Sequence, residues 1–359
     1  MTPLVDSRKH KVAIITENFL PKVDAAIQKA KEVRSILLGP SNMQTAEYAG
    51  CQLFRAFGVP LKFYPGLSAT FVQVLRDFQP DIIHLPRHQS TGVCHIFGFP
   101  YSRRRGWQIL RYFHSFAKCT LPFLRRKGYA NLRVCGRGAD AEQFNRSFRN
   151  SIARESWGIG KDDVAVLSVG RLSPEKNLLL LSKVSRVCRL VSKKRIVLIF
   201  LRAIFLGQLT GGALGVAFAN SDIMCNTSYT ETFGQVTLEA LSSGLPVIGL
   251  YAEGTADLIT HWKNGLLLDV YASESWNPYA PLDSRTPVAY YDDCASLMNP
   301  SSSTFGILAA RYATLLELLV TDPALRSRMA DAAVSTARQY TRDRCMDHIL
   351  TSYIAASRA

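Results

Sequence analysis

The second half of the chain alternates short apolar runs with helix-length segments, and this alternation most constrains the fold. Val164–Val169, Ile196–Leu201, Asp222–Cys225, Pro246–Tyr251 and Gly265–Asp269 read as strands. Asn177–Val191, Ala213–Ala219, Gln235–Ser242 and Thr255–Trp262 read as the intervening helices. Runs this apolar, without polar alternation, suit strands covered on both faces, and strands joined by crossover helices pair in parallel. Asn177–Val191 carries Leu180, Val184, Val187 and Val191 on one face, and Gly244 sits where a helix C-cap is expected. The first half repeats the pattern more sparsely. Lys11–Thr16, Ile36–Leu38, Asp81–Leu85 and Asn131–Cys135 are strand-like; Phe71–Phe78 and Trp107–Phe116 are helix-like. Tyr271–Ser303 is rich in Pro, Ser, Asp and Asn and reads as a long surface loop. Three helices close the chain: Gly306–Val320, one opened by Asp322-Pro323, and Arg342–Ala356. No internal repeat is visible. For 359 residues, this is an α/β protein of two domains.

Hydrophobic residues make up 47% of the chain, which excludes global disorder. Lys and Arg number 43 against 28 Asp and Glu, a net charge of +15. That balance favours anionic partners, and part of it is concentrated in Arg103-Arg104-Arg105 and Arg125-Arg126-Lys127. No zinc finger, RNP-type aromatic motif or helix-turn-helix accompanies it, so nucleic acid is not expected as a partner. Docking on anionic lipid fits the charge better. The eight cysteines are scattered and form no C-x-x-C, which reads as reduced core thiols in a cytoplasmic setting. Met1–His10 shows no apolar signal region. Ile196–Ala219 is apolar but broken by Arg202, Gln208 and glycines, so it reads as buried structure rather than a membrane span.

Two segments carry the chemistry. Gly170-Arg171-Leu172-Ser173-Pro174-Glu175-Lys176-Asn177 follows a strand and opens a helix. That is where open α/β sheets bind ligands and where a helix N-terminus favours anions. Arg171 and Lys176 add two positive charges suited to a diphosphate. In the second, Thr230-Glu231-Thr232-Phe233-Gly234-Gln235-Val236-Thr237-Leu238-Glu239, two carboxylates straddle a loop-to-helix junction. Gly234 lets the backbone approach a ligand, and adjacent N–H groups suit phosphate. Carboxylates accept hydrogen bonds from neighbouring hydroxyls, so the pair suits sugars. Each segment alone also has a plain structural reading, as a basic loop or a solvated helix face.

Together with Ala240–Gly249 and Ala252-Glu253-Gly254-Thr255, these segments resemble the donor half of glycosyltransferase family 4. Thr16–Asp24 and Val134–Phe144 are similar to its GDP-mannose-dependent α-mannosyltransferase and sulfoquinovosyltransferase-like members. The resemblance implies a GT-B architecture, two facing Rossmann-like domains. It places an acceptor-side domain at 1–145, a donor domain at 146–340 and a C-terminal helix at 341–359 that returns to the first domain. It implies a nucleotide diphosphate sugar donor, GDP-mannose foremost, a lipid or glycan acceptor, retained anomeric configuration and no metal or other cofactor. Arg171 and Lys176 would neutralise the leaving diphosphate, Glu231 would contact the donor sugar and Glu239 the ribose. Gly170, Thr232, Phe233 and Gly234 would complete the donor site, with Glu231, Arg171 and Lys176 its catalytic members. No convincing D-x-D occurs; Asp292-Asp293 lies in the long loop.

The first half departs from this pattern. Ala25-Ala26-Ile27-Gln28 replaces a glycine-led run, Pro86–Cys94 runs almost directly into Ile96–Pro100, and Pro122-Phe123 shortens a strand end. A Gly-Asp-Gly-Pro turn is missing after Ile199. The N-terminal domain therefore reads as truncated, and donor binding with weak or no turnover is the alternative expectation. A dinucleotide oxidoreductase is excluded because no G-x-G-x-x-G follows the first strand.

Overall fold

The computed structural model of the chain describes residues 137–191, 196–199, 206–207, 209–231, 233–270, 276–282, 294–345, 347–348 and 351. Before residue 137 it describes Asp77 and the strands named below. The chain divides into two compact units, Met1–Ser115 with Leu124–Cys135 and Asp343–Ala359, and Phe116–Phe123 with Gly136–Arg342.

The first unit contains a sheet ordered β3-β4-β2-β1-β5. Its strands are β1 (Lys11–Ile15), β2 (Arg34–Pro40), β3 (Glu47–Tyr48), β4 (Cys51–Phe57) and β5 (Ile82–His84). β1 lies between β2 and β5 and runs parallel to both; only β3 is antiparallel to its neighbour. β6 (His114–Ser115) and β7 (Arg133–Val134) form a parallel pair. His114 and Ser115 are thus strand where the sequence pattern predicts the end of a helix. Ladder pairing with a distant segment overrides the local periodicity there. Phe71–Phe78, apart from Asp77, and the departures at 25–28, 86–100 and 122–123 and after Ile199 lie outside the described residues.

The second unit is a fully parallel sheet ordered β12-β11-β10-β8-β9. Its strands are β8 (Val164–Leu167), β9 (Ile196–Ile199), β10 (Ile223–Asn226), β11 (Val247–Leu250) and β12 (Gly265–Leu268). Side chains alternate across a strand, and both faces are dry. Val164, Val166, Ile223, Cys225, Ile248, Leu250, Leu266 and Leu268 join one core cluster. Ala165, Leu167, Val197, Met224, Val247 and Leu267 join the other. This is why the strands read as unbroken apolar runs.

The helices are α1 (Ser151–Ser156), α2 (Leu178–Val191), α3 (Gly211–Ala219), α4 (Gln235–Ser242), α5 (Glu253–Leu258), α6 (Cys294–Met298), α7 (Ser303–Thr321) and α8 (Pro323–Ala337). α2 buries Leu180 and Val184 against α7, whose Phe305, Tyr312, Leu315 and Leu316 are buried in the same cluster. Tyr312 donates its hydroxyl to the Ile248 carbonyl at 2.7 Å, which satisfies the buried polar atom. α7 is long and apolar enough to cross a membrane, but half of it is buried in this unit. Asp322 caps α8 through the Leu325 N–H at 2.8 Å, with Pro323 next.

Beyond shifts of a few residues at strand and helix ends, the second unit departs from the sequence pattern in one helix end and one unexpected helix. The helix placed at Thr255–Trp262 is α5, which starts at Glu253 and stops at Leu258. His261 bridges to Gly265, and Trp262 takes φ 64. Asn264 holds this turn by accepting from Thr260 N–H at 2.8 Å and donating to the Leu258 carbonyl at 3.0 Å. Within the stretch placed as loop, Cys294–Met298 is helical and Leu297 is buried. Cys188 and Cys225 are free buried thiols, each pushed up to about 12 by burial. They are packing groups, not nucleophiles.

Candidate active site

In the second unit the connection order reverses between β8 and β10, which are hydrogen-bonded neighbours. A crevice at the carboxyl ends of such strands is the ligand position of open α/β sheets. The loop after β8 carries Gly170–Asn177, and the loop after β10 carries Thr227–Gly234.

The first loop closes with a 3-10 turn, Pro174–Lys176, ended by Asn177 in the left-handed region at φ 47. Hydrogen bonds join this turn to the second loop. Tyr229 N–H donates to the Glu175 carbonyl at 3.2 Å, and the Thr227 hydroxyl donates to the Lys176 carbonyl at 2.8 Å. The Ser228 hydroxyl, 1% exposed, lies 3.2 Å from the Glu175 carbonyl and 3.0 Å from the Thr230 carbonyl.

This stitching brings Lys176 and Glu231 together. Lys176 Nζ is ion-paired with Glu231 Oε1 and donates to Ser228 Oγ at 3.3 Å. The two side chains are only 17% and 13% exposed, which distinguishes them from an ordinary surface pair. The backbone of Gly170 lies beside the lysine stem, so that a Cβ there would stand 3.5 Å from Lys176 Cγ.

Arg171 is placed differently. Its side chain is 76% exposed, and its guanidinium pairs with Glu175 Oε1 at 2.9 Å. An exposed pair of this kind contributes roughly 0–1 kcal/mol. The Ser173 hydroxyl also donates to Glu175 at 2.6 Å. This bond, ahead of the Arg171 and Lys176 charges, holds the Glu175 carboxyl below its usual range. The sequence pattern assigns Glu175 no role, because its ties to Arg171 and Ser173 arise from the turn that closes the loop.

Gly234 takes φ 85 and opens α4 with no side-chain cap, so the first N–H groups of α4 have no capping side chain. Gly254 N–H donates to the Glu231 carbonyl at 2.8 Å, and a Cβ on Gly254 would lie 2.5 Å from the Phe233 carbonyl. α5 is therefore docked directly on the backbone that leads into α4. Phe233 is buried, and its ring meets Tyr340 edge-on at 6.2 Å. Thr232 lies outside the described residues.

Glu239 sits in the middle of α4 and is part-buried. Burial pushes its carboxyl up to about 7, against the Gln235 amide at 3.1 Å and the nearby Arg342 charge. A carboxyl raised on folding costs stability as it ionises. The cost is absent well below pH 4.5, grows between pH 4.5 and 7, and is complete above. Glu239→Gln removes it. The variant's stability advantage over wild type is expected to grow by about 2 kcal/mol between pH 5 and pH 8, read by urea unfolding. An advantage that does not change with pH would show that Glu239 titrates normally.

Among the described residues, no group of three or more His, Cys, Asp and Glu is arranged to hold a metal ion.

Comparison with known proteins adds to this geometry. Residues 197–279 match the family model of the glycosyl transferases group 1. The chain is 30% identical to a GDP-mannose-dependent alpha-mannosyltransferase of Mycobacterium tuberculosis, over 72% of this chain and 84% of that protein. It is 29% identical to the sulfoquinovosyl transferase SQD2 of Arabidopsis thaliana, over 61% of this chain and 53% of that one. Among solved structures it is similar to a sucrose-phosphate synthase from Thermosynechococcus elongatus, with TM-score 0.68 and 15% identity over 97% of this chain and 100% of that one. It is also similar to Anabaena Alr3699/HepE in complex with UDP and glucose, with TM-score 0.65 and 15% identity over 96% and 100%. These two likenesses bear on fold alone, and the fold is GT-B, as the sequence resemblance implied.

Proposed function

The chain belongs to the group 1 glycosyltransferases, and from that premise we propose that it transfers mannose from GDP-mannose to a lipid or glycan acceptor with retention of anomeric configuration. The reading rests on one observation. Lys176 and Glu231, from different loops, are ion-paired at the carboxyl ends of adjacent parallel strands where the connection order reverses. An ammonium has three donors, and Glu231 and Ser228 account for two. A phosphate oxygen would take the third. As the anomeric C–O bond breaks, negative charge grows on the departing diphosphate, and a fixed cation in a partly dry site lowers that barrier. Glu231 would accept hydrogen bonds from the sugar hydroxyls. The uncapped start of α4 would hold phosphate or sugar oxygens, and Glu239 would accept from the ribose.

Lys176, Glu231 and Glu239 would thus do the work without a metal or other cofactor. Arg171 would have to leave Glu175 to join them. GDP-mannose is the preferred donor because relatives in three bacteria bear that donor in their names. We assign residues 146–340 to the donor side and 1–145 to the acceptor side, with 341–359 as the helix returning to it. We place the chain in the cytoplasm, in peripheral contact with anionic membrane through its basic first half.

The test is transfer of radiolabelled mannose from GDP-mannose to a membrane lipid extract, with UDP-glucose and UDP-sulfoquinovose as competitors. Labelled product with GDP-mannose, undiminished by the competitors, is the expected result. A second reading is a sugar-nucleotide-binding protein without transfer, favoured by the four departures in the sequence. Donor binding with no labelled product would select it. Binding of none of these donors would exclude both.

A further inference from the structure

We propose that Tyr229 is a positioning residue that sets Lys176 against Glu231, acting through the Asn177 side chain and the Leu297 carbonyl. Tyr229 is 7% exposed and stands two residues before Glu231 in the second loop. Its hydroxyl accepts from Asn177 Nδ2 and donates to the Leu297 carbonyl in α6. Asn177 directly follows Lys176, is 4% exposed and holds the left-handed conformation that turns the chain from the lysine into α2. The backbone of Tyr229 reaches the same turn, through its N–H to the Glu175 carbonyl at 3.2 Å. One residue thus ties the lysine-bearing turn, the glutamate-bearing loop and α6 together, by main chain and side chain.

The consequence is geometric. Lys176 has a flexible stem, and its charge is useful only where the turn beneath it is fixed. A site loosened by about 1 Å loses much of its electrostatic effect. Losing the Tyr229 hydroxyl leaves the Asn177 amide and the Leu297 carbonyl without that partner in a buried setting. The turn keeps its bonds from the Tyr229 N–H and the Thr227 hydroxyl but loses its side-chain tie through Asn177, so the lysine is held less firmly against Glu231. Neither Tyr229 nor Asn177 need touch the donor for this to hold. The functional consequence rests on the donor-site reading; the geometric one does not.

Trace acetylation of lysine amines, quantified by peptide mass spectrometry, reads the position of Lys176 without any ligand. Tyr229→Phe keeps the ring and removes the hydroxyl. Asn177→Gly keeps the left-handed backbone and removes the amide. In both variants Lys176 is expected to acetylate about five-fold faster than in wild type, while the exposed Lys161 and Lys263 keep their rates. The double variant should go no further than either single one, because both break one chain of bonds. The inference is overturned if Lys176 keeps its wild-type rate, or if Lys161 and Lys263 rise with it, since that is general loosening. With GDP-mannose as probe, the dissociation constant should rise about five-fold in each variant. A wild type that binds no nucleotide sugar, but whose variants still expose Lys176, would sink the donor reading and leave the positioning role standing.

Discussion

Lys176→Ala is expected to lower transfer from the donor by about 10²–10³-fold, the range for removing one preorganised charge-stabilising group. The same change breaks the ion pair of Glu231, whose side chain is 13% exposed in the wild type, at a stability cost of about 1–3 kcal/mol. These effects have different origins and can be separated. Lys176→Met with Glu231→Leu replaces the pair by apolar groups of similar length and recovers part of the stability, because no charge is stranded. It recovers none of the transfer. Chemical unfolding and steady-state kinetics on Lys176→Met, Glu231→Leu and their double variant form a cycle that reads both. Arg171→Ala is the contrast, since its side chain is 76% exposed and paired with Glu175. If Arg171→Ala proved as damaging as Lys176→Ala, the arginine would have to swing into the site when donor binds.

Gly254→Ala has the second-largest expected effect, and it acts through the backbone. The added Cβ would lie 2.5 Å from both the carbonyl carbon and oxygen of Phe233 and 2.6 Å from its Cα. No rotamer change relieves a clash with main chain. Either α5 withdraws, breaking the Gly254 bond to the Glu231 carbonyl, or residues 233 and 234 shift and move the start of α4. The expected loss is about 1–3 kcal/mol of stability, and donor binding should weaken by more than that loss alone would cause. Gly306→Ala is the control. Gly306 lies in α7 with nothing within 4 Å of an added Cβ, so alanine should be neutral or stabilise by about 0.5–1 kcal/mol. Equal effects at the two glycines would mean that α5 is not docked as described.

How far the sequence reveals this molecule depends on whether the cause is local. α4 is found at its observed bounds, Gln235–Ser242, because a positive-φ glycine opens it and Gly244 at φ 74 follows its end. The five strands of the second unit are legible because both their faces are buried. The sequence pattern carries α5 too far because a tertiary turn, with Trp262 at φ 64 and Asn264 bonding backward, cuts an apolar run that continues in sequence. α6 was hidden in a polar stretch, since what defines it is burial of Leu297 and the tyrosine seated on its carbonyl.

The candidate site shows the same division. Residue types and strand-end positions pointed to Lys176, Glu231 and Glu239. That Lys176 pairs with a glutamate 55 residues away, while Arg171 turns to Glu175 in its own loop, depends on the order β10-β8, which brings the second loop to the lysine. No local pattern encodes that order. The high carboxyl of Glu239 has a similar cause, because its surroundings come from packing rather than from spacing.

Titration calorimetry with GDP-mannose, on wild type and on Lys176→Ala, tests the central claim most directly. Saturable binding of one donor per chain to wild type, lost or weakened at least ten-fold in the variant, is the result expected of a donor site built on the Lys176–Glu231 pair. Equal binding to both proteins, or no binding of GDP-mannose to wild type, would contradict it.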